Sequence, residues 1–125
     1  MKSKIETDKA PQATGPFSQA VIDGNLVYTS GQIHLRPDGK LLEGTIEEQT
    51  HQVMKNLQEI LESAKVSFKN VIKATVYVTD MSNYGKINEV YSTFFSEPFP
   101  AREVVCVKEL PLKAHLEISL VAIKS

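Results

Sequence analysis

Apolar side chains recur at two different periods along these 125 residues, and the changes of period divide the chain into elements. In Val71–Val78, Ile72, Ala74, Val76 and Val78 alternate with Lys73, Thr75 and Tyr77, which predicts a strand. From about Ile46 to Ala64 the step lengthens to three and four residues. Val53, Leu57, Ile60, Leu61 and Ala64 then share one face, while Glu47, Gln52, Lys55, Glu59 and Glu62 fall largely elsewhere. Thr45-Ile46-Glu47-Glu48 has the form of a capping box, so the amphipathic helix is expected to start there. A second helix is predicted over roughly Asn83–Phe95, with Tyr84, Ile87, Tyr91, Phe94 and Phe95 on its apolar face and Asn88 among them. An asparagine in that position needs partners, either a local loop carbonyl or a ligand.

Shorter signals place the remaining strands. Ala10–Ser18 is rich in proline, glycine and small polar residues and is expected to be irregular. Asp23-Gly24-Asn25 separates the apolar runs Phe17–Ile22 and Leu26–Ser30, which predicts a hairpin. Ser30-Gly31-Gln32 closes that hairpin with the composition of a bulge, or of a backbone that something bound approaches closely. Arg36-Pro37-Asp38-Gly39-Lys40 reads as a surface turn. Glu103–Lys108 and Ala114–Ile123 read as two further strands, and the short connector Glu109–Lys113 predicts that they pair as a second hairpin.

The element order is β-β-α-β-α-β-β, an α+β domain spanning 1–125 with two helices on one face of a mixed sheet. The last two strands are apolar on both faces, and two helices cover only one. The other face is therefore expected to pack against copies of the chain in a homo-oligomer.

Composition removes several functions. Fourteen Lys and Arg balance fifteen Asp and Glu without a basic run, which disfavours nucleic acid as the main partner. The charged start, MKSKIETDKAPQ, shows no secretory signal, and no later stretch approaches a membrane span. Cys106 stands alone, so a reducing compartment, the cytosol, is expected. It sits in Val-Val-Cys-Val, where a small core hydrophobe is the ordinary reading. His34, His51 and His115 form no metal-ligand spacing with it or with a carboxylate, and no phosphate-binding glycine loop is present.

Two opposite charges on apolar strands remain, Arg102 and Glu117. They fit a structural ion pair or two solvent-facing edge residues. They also fit a small-carboxylate site, in which the guanidinium fork holds the carboxylate and Glu117 handles a proton or a water.

Several motifs together resemble the Rid/YjgF family of reactive-intermediate deaminases over essentially the whole chain. They are Gly15-Pro16-Phe17-Ser18-Gln19-Ala20, Ser30-Gly31-Gln32-Ile33, Asn88-Glu89-Val90-Tyr91, Pro100-Ala101-Arg102, Leu110-Pro111 and Leu116-Glu117-Ile118. The resemblance implies a homotrimer of chorismate-mutase-like protomers with clefts between subunits. It implies hydrolysis of 2-aminoacrylate, 2-aminocrotonate and their imine forms to 2-keto acids and ammonia, with no cofactor. Arg102 would then bind the substrate carboxylate, helped by main-chain groups near Gly31 and Val104, and Glu117 would position or activate water. Ser30 and Asn88 would line the cleft. Many deaminating members carry tyrosine where this chain has Phe17, and cysteine where it has Val104. The alternatives are a trimer that binds 2-keto acids without turnover and, less favoured by the charge balance, a ribonuclease or translation inhibitor.

Overall fold

The alternating run Val71–Val78 forms strand β5, and in the computed structural model, which describes residues 1–125, this strand lies between the two strands that follow it in the chain. Four strands precede it: β1 (Ser3–Ile5), β2 (Ala20–Asp23), β3 (Leu26–Thr29) and β4 (Gln32–Ile33). Helix α1 (Ile46–Ser63) lies between β4 and β5. After β5 come helix α2 (Tyr84–Ser92), β6 (Ala101–Cys106) and β7 (Leu116–Ile123). The sheet runs β1-β2-β3-β7-β5-β6, with β4 also paired to β7. Only the β5–β6 pair is parallel, so the sheet is mixed.

Helix α1 begins as its capping box dictates. The Thr45 hydroxyl accepts the Glu48 N–H at 3.1 Å, and the Glu48 carboxylate accepts the Thr45 N–H at 2.8 Å. Its buried face, Val53, Met54, Leu57, Ile60 and Leu61, packs with Ala74, Val76 and Val78 of β5 and with Leu116, Ile118, Leu120 and Ala122 of β7. Burying each of the larger side chains contributes about 1.5–3 kcal/mol. The two helices share this one face of the sheet. On the opposite face Tyr28, Val105 and Ile123 stay exposed, which agrees with the apolar second face expected from sequence.

The second hairpin is not formed. β6 and β7 lie on either side of β5, β6 parallel to it and β7 antiparallel. The physical reason is the helix between β5 and β6. A strand-helix-strand unit returns the chain in the same direction, so β6 docks parallel beside β5 and the short connector then carries the chain across the end of β5. Both crossing ends are tied there, by Val107 N–H to the Val78 carbonyl at 2.8 Å and Thr79 N–H to the His115 carbonyl at 3.3 Å.

Smaller corrections follow from side-chain demands. β2 starts at Ala20 rather than Phe17, because Gln19 is turned inward. Its amide accepts the Thr7 N–H at 2.7 Å and donates to the Pro11 carbonyl at 2.7 Å, which pins the irregular segment. α2 is shorter than its apolar pattern, ending at Ser92, and Phe94 and Phe95 instead join an aromatic cluster with Phe68, at ring-centroid distances of 5.4 and 5.1 Å. Cys106 is exposed rather than in the core, since β6 is an edge strand. β1 and β4 are too short to show a period.

Candidate active site

Strand register decides where the two opposite charges point. Arg102 is level with Ala74, a residue buried beneath the helices, whereas Glu117 is level with Tyr77 and Ile33 on the uncovered face. Within one chain Arg102 and Glu117 therefore lie on opposite faces of the sheet with β5 between their strands. They form neither an ion pair nor a common site, and each has its own cleft.

The Arg102 cleft, about 400 Å³, lies beside α2 and is lined by Asn88, Tyr91, Ser92, Phe99, Pro100 and Arg102. Helix spacing builds the arginine's support. Tyr84, Asn88 and Tyr91 stand at intervals of four and three residues and meet β6 together. Arg102 Nη1 donates to Asn88 Oδ1 at 2.7 Å, and Nη2 donates to the Tyr84 hydroxyl at 2.6 Å. Its guanidinium carbon lies 4.8 Å from the centre of the Tyr91 ring and 5.6 Å from that of Tyr84. The fork is held by three α2 side chains and still has N–H groups to offer an anion. Beneath it the Tyr91 hydroxyl is buried without a hydrogen-bond partner. Burial pushes that hydroxyl's pKa up, while Arg102 opposes the shift.

The second cleft, about 330 Å³, holds Glu117 with Phe17, Gly31, Ile33, Leu35 and Leu112 among its lining residues. Glu117 is half-buried, and desolvation raises its carboxyl above the usual value of 4.5. It lies directly over Gly31. A Cβ there would overlap the carboxylate, with Glu117 Cδ at 2.7 Å and Cγ at 2.9 Å, so the absence of a side chain at Gly31 makes room for Glu117. The bulge-like composition of Ser30-Gly31-Gln32 thus marks a close approach by the chain's own carboxylate.

Ser30 is committed locally. Its hydroxyl donates to the Ser18 carbonyl at 2.6 Å and its N–H to the Gln19 carbonyl at 2.9 Å. Asn88 and Arg102 come together as a unit, Phe17, Gly31 and Glu117 form a second, and Val104 packs against the core from β6. Tyr84, Tyr91, Phe99 and Leu112 were not among the candidate site residues. The four- and three-residue spacing of Tyr84, Asn88 and Tyr91 was the available signal for the first two. No group of three or more His, Cys, Asp or Glu side chains is placed to hold a metal ion, and no helix is long and apolar enough to cross a membrane.

Fold and site together define an α+β domain that presents a guanidinium and a desolvated carboxylate in two separate clefts. The chain belongs to the endoribonuclease L-PSP family, also called Rid/YjgF, whose profile matches residues 7–124. It is 42% identical to the 2-iminobutanoate/2-iminopropanoate deaminase of Mus musculus over 99% of this chain and 93% of that protein. A Rid-family protein of Yersinia pestis, YyfA, superposes with a TM-score of 0.95 at 42% identity, covering 98% of this chain and 99% of the other. TdcF of E. coli, solved with bound serine, superposes with a TM-score of 0.93 at 38% identity over 98% and 99% of the two chains.

Proposed function

We propose that the chain hydrolyses small reactive enamines and imines, 2-aminoacrylate and 2-aminocrotonate among them, to 2-keto acids and ammonia in clefts between the subunits of a homotrimer. The observation that carries this reading is the separation of Arg102 from Glu117: each half-cleft lacks what the other has, and a neighbouring copy is the simplest source of the missing half. The name of the mouse relative and the amino acid bound to TdcF support the same ligand chemistry.

In this mechanism Arg102 pairs with the substrate carboxylate through the N–H groups that Asn88 and Tyr84 leave free. The enamine tautomerises to the imine, whose carbon is already electrophilic. Glu117 accepts a proton from water as the oxygen bonds to that carbon, and its raised pKa brings it closer to neutral pH than an ordinary carboxylate. Proton return to nitrogen expels ammonia and leaves the keto acid. Gly31 lets Glu117 sit low in the cleft, and fixing water and imine together supplies much of the rate by proximity. The scheme requires no cofactor, and the single cysteine supports a reducing compartment, the cytosol, for the reaction.

One observation favours a second reading, a trimer that binds 2-keto acids without turnover. Phe17 projects into the Glu117 cleft with no hydroxyl to offer substrate or water, and a missing donor there costs on the order of 1–3 kcal/mol. The nuclease activity in the family's description gains nothing from a chain with fourteen basic and fifteen acidic residues. The deciding experiment generates 2-aminocrotonate with a threonine dehydratase and follows its decay. Acceleration by the wild-type protein that disappears in Arg102→Ala supports the hydrolase. An inert wild type beside an active Phe17→Tyr variant refutes turnover and leaves the binding protein.

A further inference from the structure

Arg102 is a half-buried cation without a counter-ion. None of the chain's ion pairs involves it. The two oxygens that hold its fork, Asn88 Oδ1 at 2.7 Å and the Tyr84 hydroxyl at 2.6 Å, both belong to neutral groups. An Asp or Glu in either place would fix the guanidinium equally well, but it would neutralise the charge and compete with an incoming anion. A carboxamide and a phenol fix it and leave its charge whole. Two of its five N–H groups go to the helix, so three remain for a ligand.

The second of these clamps is built at the very start of α2. Tyr84 is half-buried and opens the helix one turn before Asn88, directly after a short helical turn over Met81–Asn83. The Asp80 carboxylate accepts the Ser82 N–H at 2.9 Å and sets that turn, whereas the Asn83 side chain caps nothing. A single hydrogen bond, from Nη1 to Asn88, would leave the guanidinium free to swing about it. A second bond, on the other terminal nitrogen, removes that freedom and sets the plane of the fork. Rigidity before binding spares the ordering that a mobile arginine undergoes when a carboxylate docks.

We infer that Tyr84 is a positioning residue for anion binding: its hydroxyl, a neutral second clamp one helical turn from Asn88, presents the Arg102 fork ready-made to a carboxylate. Tyr84 touches no reacting atom and acts through Arg102. This rests on the part of the reading above in which Arg102 binds the substrate carboxylate.

The test is Tyr84→Phe, which removes the hydroxyl and keeps the ring. Calorimetry with 2-oxobutanoate is expected to show binding about tenfold weaker than in wild type. In imine hydrolysis KM should rise by a similar factor while kcat is retained, since the grip on the carboxylate is the same in ground and transition states. In an Arg102→Lys background, where there is no fork to hold, the same change should do nothing further. Unchanged or tighter binding in Tyr84→Phe overturns the inference. An equal loss in the Arg102→Lys background does so too, because Tyr84 would then act without Arg102. A lower melting temperature with affinity intact assigns the bond to the fold alone and also overturns it. The binding measurement separates this inference from the proposed activity. If no imine is hydrolysed, yet Tyr84→Phe weakens 2-oxobutanoate binding only when Arg102 is present, the positioning role stands and the hydrolase reading falls. If imines are hydrolysed and Tyr84→Phe binds 2-oxobutanoate as wild type does, the reverse holds.

Discussion

In the proposed reaction Glu117 is the residue at which stability and chemistry oppose each other. Its carboxyl is raised above 4.5 by desolvation, so the folded protein favours the protonated form. The resulting stabilisation is fully present below about pH 4.5 and is lost as pH rises through the higher folded value. A general base, by contrast, works only above that value. Glu117→Gln is therefore expected to unfold at the same or a higher temperature than wild type at pH 7, with the gap closing towards pH 4.5, while imine hydrolysis falls by roughly 10²–10⁴-fold. Thermal melts and turnover across pH check both, and an unchanged rate would make Glu117 structural. Gly31 offers a finer test of the same group. A methyl there meets the Glu117 side chain before anything else, so Gly31→Ala should turn Glu117 aside and lower kcat much more than it lowers the melting temperature. An equal loss of both would show that Gly31 serves the fold instead. At this scale the sequence carried the identities of the charged pair, because charges on apolar strands stand out. It did not show which face each occupies, since that depends on a register set by strands far apart in the chain.

Pairing of elements shows the same limit, in β6 and β7. Both strands were legible as apolar runs, yet their short connector suggested a hairpin that does not form. The strand-helix-strand order β5-α2-β6 was equally legible, and it prevails because helix α2 must cover the same face as α1. What holds the end of β4 to the start of β7 was not legible at all. His34 is fully buried; its Nδ1–H donates to the Leu42 carbonyl at 3.0 Å, and its Nε2 accepts the His115 N–H at 3.0 Å. The His115 ring stacks on it at 5.5 Å. Burial holds its pKa below 6.5; the bond to Leu42 and the nearby Glu43 oppose the shift, and the His115 ring reinforces it. A histidine with a lowered folded pKa leaves stability intact above the unfolded value and weakens the fold as pH falls below about 6.5. The slope is at most about 1.4 kcal/mol per pH unit. Urea unfolding between pH 7.5 and 5 should show this loss in wild type and a flatter dependence in His34→Gln, which cannot titrate. Equal slopes in the two proteins would remove His34 as the cause.

At the scale of the whole molecule, Arg102 and Glu117 can serve one substrate only across an interface between copies. Arg102 and Glu117 face opposite sides of one sheet, so no side-chain rotation within a chain unites them. The uncovered face with Tyr28, Val105 and Ile123 gives copies an apolar reason to associate. If each cleft takes Arg102 from one subunit and Glu117 from the next, two inactive variants must rescue each other. Arg102→Ala supplies intact Glu117, and Glu117→Gln supplies intact Arg102. In trimers re-formed from an equal mixture, a given cleft receives a sound arginine half and a sound glutamate half about one time in four, because closed symmetry gives every cleft the same two neighbours. Activity should therefore return to about a quarter of wild type after co-refolding, although each variant alone stays inactive. Mixing without subunit exchange should restore nothing, which provides the control. If co-refolded protein is trimeric by sedimentation yet remains inactive, the halves do not combine across the interface. Arg102 and Glu117 would then have to serve separate sites, and the hydrolytic reading would lose the geometry on which it rests.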